Sequence, residues 1–251
     1  MTDTSQIVSF CNKRVQIAEI QDFSGAFNGL QIENNGEVSK IGASVDAGLV
    51  TFQSASIRGI DFLIVHHGVF WTPPIPLLGV NYEKIKLCLD SNLAVYGSHL
   101  PLDRHPEIGN NAILAKKIGL EPCGTFLPYE GRNIGLLTKN SLSRKQLNYK
   151  LKEIFPSGTI AMEFGSENPQ KVAFLSGSGQ SAVTKILDAG ADTLITGELK
   201  QHHFNLAQEL KLNLYMCGHY ATETFGVDAL ATEVAKEFNL PYEFLDTSCP
   251  L

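Results

Sequence analysis

Short apolar segments alternate with helical patterns along most of the chain, and this alternation restricts the possible folds more than any other feature. Residues 62–65, Phe-Leu-Ile-Val, are typical of a strand buried on both faces. Further strands are predicted at 41–45, 93–96, 171–175, 193–195, 212–217 and 241–245, and helices at 49–55, 82–91, 110–118, 182–189, 204–210 and 227–238. Strands that alternate with helices in this way indicate βαβ units and mostly parallel sheets.

The rhythm breaks between residues 128 and 169, where a basic helix near 143–154 is flanked by strands near 133–138 and 159–164. At roughly 150 residues per domain, the chain length allows one large domain or two small ones. We predict an α/β fold of two lobes, residues 1–127 and 128–251, with residues 128–169 as an insertion or an extension of the second sheet. The matching rhythm of the two halves suggests an old duplication.

Composition argues against several classes of protein. The 20 basic and 26 acidic residues give a formal net charge of −6, which provides no general attraction to nucleic acid or anionic membranes. The polar, acidic start of the chain lacks the features of a signal peptide, and the apolar runs are too short to span a bilayer. Five scattered cysteines without a C-x-x-C pair indicate reduced thiols. We therefore expect a cytoplasmic protein without a membrane span or a nucleic-acid partner.

Histidines follow several of the predicted strands at their carboxyl ends, which is the edge where open α/β sheets bind ligands. The clearest case is His66-His67, directly after the buried strand at 62–65. Successive strand residues point to opposite faces of a sheet, so both imidazoles face one site only if the chain turns there. Gly68 would permit that turn.

Two further strands end in the same manner. The strand at 93–96 is followed by His99 and then Asp103, and the strand at 212–217 by His219 and then Glu223. If a helix begins at once after the last strand, His219 and Glu223 lie on one face of it, at the i and i+4 positions.

Imidazoles and carboxylates in this arrangement indicate a metal site. Neutral imidazole binds Zn, Fe, Ni or Mn, and a carboxylate can bridge two ions. The set exceeds what one closed structural zinc needs and suits an open or two-metal site. A single histidine after a strand is usually only a cap or a satisfied polar group. By that reasoning we expect His105 to be structural, and His202 and His203 to lie outside the ligand set.

Three other sequence features each have a structural and a functional interpretation. The segment Gly177-Ser178-Gly179-Gln180-Ser181-Ala182 formally matches a dinucleotide fingerprint, with Glu198 at the expected distance, although a tight βα turn gives the same string. Its backbone amides are also candidates for phosphate contact. The basic residues between 139 and 152 are typical of a solvated helix face, and a phosphate or nucleic-acid contact is the alternative. Trp71 is expected to pack in the core, with stacking on a planar base as its functional alternative.

Several short motifs occur in a fixed order over nearly the whole chain. They are Asn28-Gly29-Leu30-Gln31, His66-His67, His99-Leu100-Pro101-Leu102-Asp103, Gly109-Asn110-Asn111, Thr196-Gly197-Glu198 and Gly218-His219-Tyr220-Ala221-Thr222-Glu223. Together they resemble the GTP cyclohydrolase type 2 homologues, also called the Nif-three-like family of dinuclear metal-binding proteins. The sequence departs from the frequent family string His-Thr-x-x-Asp, because leucine follows His99.

The resemblance implies two divalent metal ions per chain, a toroidal homohexamer and a substrate such as a nucleotide or another planar heterocycle. It assigns the metal ligands as His66, His67, Asp103, His219 and Glu223. We expect the metal site to lie between the lobes, with His99 and Glu198 as candidate catalytic proton carriers. The first hypothesis is a dinuclear metal-dependent hydrolase with Zn, Fe, Mn or Ni. The alternative is a metal-binding hexameric scaffold or regulatory protein without turnover.

Overall fold

Two large sheets organise the chain, and each belongs to its own unit. The computed structural model describes residues 1–70 and 75–251, so the prediction for Trp71 lies outside the described residues. The first unit comprises Met1–Leu102 and Gly226–Ser248, and the second comprises Asp103–Phe225 and Cys249–Leu251. These bounds differ from the predicted 1–127 and 128–251, because the strand Tyr242–Phe244 returns to pair with Ile41–Asp46 in the first sheet.

Residues 1–103 contain the following elements in chain order. They are β1 (Thr2–Asp3), α1 (Thr4–Arg14), a short 3-10 helix (Ile17–Glu19), β2 (Gly29–Ile32), β3 (Glu37–Val38), β4 (Ile41–Asp46), α2 (Leu49–Ile57), β5 (Phe62–His67), α3 (Val80–Asp90), β6 (Ala94–Gly97) and the single turn α4 (Leu100–Asp103).

The remaining elements follow from residue 104 onward. They are α5 (Asn110–Ile118), β7 (Pro122–Tyr129), β8 (Arg132–Lys139), α6 (Arg144–Ile154), β9 (Ile160–Glu163), β10 (Lys171–Ser178), α7 (Lys185–Asp188), β11 (Thr193–Glu198), α8 (His203–Leu210), β12 (Asn213–Met216), α9 (His219–Phe238) and β13 (Tyr242–Phe244).

The first sheet has the strand order β13-β4-β5-β6-β2, in which β2 runs antiparallel to β6 and the other neighbours are parallel. Its register pairs Asp46 with His67 and Val65 with Gly97, so β4, β5 and β6 end at the same edge. The confirmed mixed α/β fold therefore delivers the residues that follow these strands to a common place.

Apolar side chains on one face of this sheet pack with α2 and α3. Phe52, Ile60, Leu63, Val65 and Val95 are buried in this cluster. The continuous apolar run of β5 is buried throughout, as its composition predicts for a central parallel strand. A rigid strand of this kind fixes the backbone from which His66 and His67 project.

The second sheet has the order β7-β8-β10-β11-β12-β9. Its centre, β10-β11-β12, is parallel, whereas the β7-β8 hairpin and β9 join it antiparallel. Residues 128–169 thus extend the sheet at both edges. Buried residues cover both faces of the parallel centre, with Phe174, Ile195 and Tyr215 in one cluster and Leu194 and Leu214 in the other.

Helix boundaries show where local sequence signals are strong. Gly119 has a φ of 84° and caps α5, as predicted, because glycine adopts the left-handed conformation without steric cost. The helix predicted at 182–189 is wrong in extent, since only Lys185–Asp188 forms α7. Helix α9 begins at His219, eight residues before the apolar stripe that predicts it.

Among the described residues, none of the helices combines the length and apolar character that crossing a membrane requires.

Replacing Leu63 by alanine removes a fully buried side chain from β5. We expect the free energy of unfolding to fall by about 2–5 kcal/mol, because the cavity is only partly filled by its neighbours. Leu187→Ala is the matched control, since Leu187 on α7 is 42% exposed and its loss should change stability by about 0.5 kcal/mol or less. Equal effects in chemical denaturation would contradict the assigned core.

Candidate metal centre

Three imidazoles converge in the first unit at the carboxyl edge of its sheet. The candidate ligand atoms of His66, His67 and His99 all lie within 4.8 Å of one another. The ring centroid of His66 lies 4.8 Å from that of His67 and 4.9 Å from that of His99. The two adjacent histidines at the end of β5 therefore reach one place, as the sequence pattern requires of a shared site.

Hydrogen bonds at Nδ1 fix the orientation of the first two rings. His66 Nδ1 lies 3.0 Å from the carbonyl oxygen of Ser98, and His67 Nδ1 lies 2.8 Å from Asp46 Oδ1. Because these oxygens accept, each Nδ1 carries a proton, and in a neutral ring Nε2 then carries the lone pair. This is the tautomer in which a histidine binds a metal ion through Nε2.

Asp22 holds the third ring in the same way. Its carboxylate accepts a hydrogen bond from His99 Nδ1 at 2.8 Å and others from the Asn28 side chain and the Leu100 backbone amide. Burial raises the pKa of Asp22, but the hydrogen bond and charge of His99, with the bond from Asn28, outweigh burial and leave the pKa below its usual value. His99 thus lies with His66 and His67 as a candidate ligand, although the sequence predicts it as a proton carrier.

Asp103 is held in the second unit by two polar neighbours. Its Oδ1 accepts hydrogen bonds from Asn110 Nδ2 at 2.7 Å and Ser176 Oγ at 2.9 Å. Asn111 accepts from the Ser176 amide and donates to the Asp103 carbonyl oxygen. The Gly-Asn-Asn motif of the sequence therefore positions this carboxylate. A candidate ligand oxygen of Asp103 also lies within 4.8 Å of one on Glu223.

His219 lies between two carboxylates. Its Nε2 is 3.2 Å from Glu223 Oε1, and its Nδ1 is 3.1 Å from Glu198 Oε1. The hydrogen bond to Glu223 is the main cause that raises the pKa of His219 to about 9; burial opposes it, and the charge of Glu223 and the bond and charge of Glu198 add to it. Glu198, predicted as a proton carrier, orients the His219 ring.

Gly177, the first glycine of the apparent dinucleotide fingerprint, and Gly197, which precedes Glu198, make room for these side chains. Gly177 has a φ of 63°, and a Cβ there would lie 3.0 Å from His219 Nε2 and closer still to Glu223 Oε1. A Cβ at Gly197 would lie 2.7 Å from His219 Cα. Close packing therefore explains why glycine is needed at these two positions. In a dinucleotide-binding fold a long helix follows the fingerprint, whereas here only the four-residue α7 does.

The other histidines have local partners. His105 Nδ1 accepts hydrogen bonds from the amides of Glu107 and Ile108, in agreement with its predicted structural role. His203 Nδ1 lies 2.9 Å from the Lys200 carbonyl oxygen. Within residues 1–70 and 75–251, the groups with metal-ligand spacing include neither of them, nor His202.

Sequence reasoning missed Asp22 and Asp46, which orient His99 and His67. Asp46 is the last residue of β4 and pairs with His67 in the strand register. Its position at the end of a predicted strand could therefore have marked it as a neighbour of the histidines. Asp22 lies in an irregular loop without any periodic pattern, and nothing in the sequence marks it.

Comparison with known proteins identifies the family. The family model "Duf34/NIF3 (NGG1p interacting factor 3)" matches residues 2–250. The chain belongs to the DUF34/NIF3 family. This agrees with the Nif-three-like resemblance of the sequence motifs.

Relatives within the DUF34/NIF3 family match over nearly their whole length. A protein of Archaeoglobus fulgidus named "GTP cyclohydrolase 1 type 2 homolog" is 37% identical over 244 residues, 96% of this chain and 97% of its own. A protein of the same name from Deinococcus radiodurans is 35% identical over 243 residues, 96% of this chain and 92% of its own. The crystal structure of TTHA1606 from Thermus thermophilus covers 100% of both chains with a TM-score of 0.87 and 35% identity.

Gly177→Ala tests whether close packing at this glycine shapes the ligand group. The added methyl should displace Glu223 and His219 and weaken binding of Zn²⁺ or Co²⁺ by about 10–100-fold, as loss of supporting contacts does in other metal sites. Isothermal titration of metal-free protein measures the effect.

Gly59→Ala is the matched control for this variant. Its φ of +65° imposes the same backbone strain, yet among the described residues nothing lies within 4 Å of the added Cβ. Equal affinities for the two variants would show that Gly177 serves the backbone alone.

Proposed function

We propose that this chain is a dinuclear metal-dependent hydrolase that acts on a nucleotide or a similar heterocycle. One observation carries the proposal: His66, His67 and His99 bring their candidate ligand atoms within 4.8 Å of one another. Each ring is also held at Nδ1 by an oxygen acceptor. Histidines that bind metal ions almost always donate their other ring N–H to such an oxygen.

The proposed ligands are His66 and His67 at the end of β5, Asp103 at the end of α4, and His219 and Glu223 at the start of α9. Imidazole nitrogen with carboxylate oxygen suits Zn, Fe, Mn or Ni, and a set without thiolates argues against a zinc-finger role. Two bound ions would lower the pKa of a coordinated water and stabilise negative charge that develops on the substrate.

The chain's own side chains have distinct tasks in this proposal. Asp22 accepts a hydrogen bond from Nδ1 of His99 and fixes the position of that ring. Glu198, whose side chain is 49% exposed, accepts from His219 and is the candidate for exchanging a proton with solvent. The curated relatives named "GTP cyclohydrolase 1 type 2 homolog" support a nucleotide as substrate.

We also propose that the protein is cytoplasmic and forms a homohexamer. Helix α3 exposes large apolar side chains, among them Val80, Tyr82 and Leu89, each more than half exposed. Tyr82 and Leu89 are seven residues apart and so lie on one face of α3, and exposed apolar patches mark interaction sites.

A metal-binding scaffold or regulatory protein without turnover is the second candidate. The observation that favours it is the number of candidate ligand side chains, because a site whose coordination positions are all filled by protein is structural. Removal of the metal separates the two functions: loss of hydrolysis with little change in melting supports the enzyme, and a large shift in melting or assembly without any hydrolysis supports the scaffold. The assay would follow GTP and other nucleoside triphosphates by chromatography, with and without chelator.

The double variant His66→Ala/Glu223→Ala should remove the bound metal and leave the fold intact. It deletes two of the proposed ligands, whereas the apolar clusters of the described residues contain neither side chain. Elemental analysis gives the metal content and circular dichroism the fold. The control is His202→Ala/Glu209→Ala, which removes the same residue types from exposed positions. Collapse of the fold in the first variant alone would favour a structural metal.

A further inference from the structure

The motif Asn28-Gly29-Leu30-Gln31 has no part in the proposed ligand set, yet its two amide side chains contact the backbone beside the histidines. Asn28 Oδ1 accepts a hydrogen bond from the His99 amide at 2.7 Å. Asn28 Nδ2 donates to Asp22 Oδ2 at 2.8 Å. One side chain thus fixes both the His99 backbone and the carboxylate that orients the His99 ring.

Gln31, three residues on, performs a similar task for the other histidines. Its Oε1 accepts a hydrogen bond from the Val69 amide at 2.6 Å, and its Nε2 donates to the Phe27 carbonyl oxygen. Val69 lies two residues after His67, so this bond fixes the turn in which β5 ends.

The Gln31 amide lies directly against two glycines. At Gly68, the three atoms nearest to an added Cβ all belong to Gln31, and at Gly97 the two nearest do. Neither glycine has a positive φ, so backbone conformation does not demand glycine there. The close approach of the Gln31 side chain is what requires glycine at both positions. Gly68 follows His67, and Gly97 precedes Ser98, whose carbonyl oxygen accepts from His66.

We infer that Asn28 and Gln31 form an amide brace that positions His66, His67 and His99 as one group. The hydrogen bonds of the brace reach backbone atoms and Asp22, so the brace acts on the rings through these groups. The brace itself follows from the contacts, and its consequence for metal binding rests on the proposed function. Displacement of either backbone segment moves a ring or the acceptor that fixes its tautomer.

Gln31→Met tests the brace by keeping the side-chain length and removing both hydrogen bonds. Metal-free protein is titrated with Co²⁺, whose visible spectrum reports ligand number and geometry. We expect affinity to fall by about 10–100-fold with an altered spectrum, the range found for supporting residues at metal sites. The control Gln53→Met makes the same change at an exposed position of α2 and should match the wild type. Wild-type affinity and spectrum in Gln31→Met would overturn the inference.

A second readout separates failure of the brace from failure of the proposed function. In metal-free protein labelled with ¹⁵N-histidine, long-range NMR correlations report which ring nitrogen carries the proton. The wild type should show the Nδ1–H form for His66 and His99, and Gln31→Met should show mixed tautomers. If the wild type binds no Co²⁺, the proposed function fails, and this spectrum still decides the brace. Unchanged tautomers in the variant would contradict the brace.

Gly68→Ala provides a test that keeps Gln31 in place. The added methyl should displace the Gln31 amide, lower the melting temperature and weaken Co²⁺ binding. In the background of Gln31→Ala, the same methyl meets no amide and should lower the melting temperature no further. Equal losses in both backgrounds, or wild-type Co²⁺ affinity in folded Gly68→Ala, would overturn the inference. This pair of variants also decides the case if Gln31→Met folds poorly.

Discussion

The hydrogen bonds that occupy Nδ1 of His66, His67 and His99 are the interactions on which the proposed chemistry depends. A neutral imidazole has one donor and one acceptor nitrogen, so an oxygen at Nδ1 leaves the lone pair on Nε2. Parallel strands make this possible. Their common register brings Asp46 beside His67, and the bond from the Ser98 amide to Val65 continues the ladder and carries the Ser98 carbonyl to His66.

Both units use the same arrangement. In each, three consecutive parallel strands lie in sequential order, β4-β5-β6 in the first and β10-β11-β12 in the second. The third strand leads to a glycine and then a histidine at the start of a helix, Gly97-Ser98-His99 or Gly218-His219. A carboxylate then accepts from Nδ1, Asp22 in one case and Glu198 in the other. This shared plan supports the duplication that the sequence rhythm suggested.

The strands and helices of this plan could be predicted because continuous apolar runs and helical stripes are local signals. The strand at 62–65 and the cap at Gly119 are examples. Helix α1 escaped prediction, since its sequence TSQIVSFCNKR is mostly polar and buries only Thr4, Ile7 and Cys11. The positions of the predicted ligands followed strand ends. Asp22 and Gln31 could not be predicted in this way, because only tertiary structure brings Asp22 to His99 and the Gln31 amide to the backbone beside the histidines.

The central claim is a pair of metal ions held mainly by imidazole and carboxylate. Elemental analysis of anaerobically purified protein, combined with X-ray absorption of the same sample, tests it directly. The account predicts about two transition-metal ions per chain, about 3.5–4 Å apart, with imidazole scattering in the coordination shell. Protein that contains none, and regains none with Mn, Fe or Zn, would contradict it.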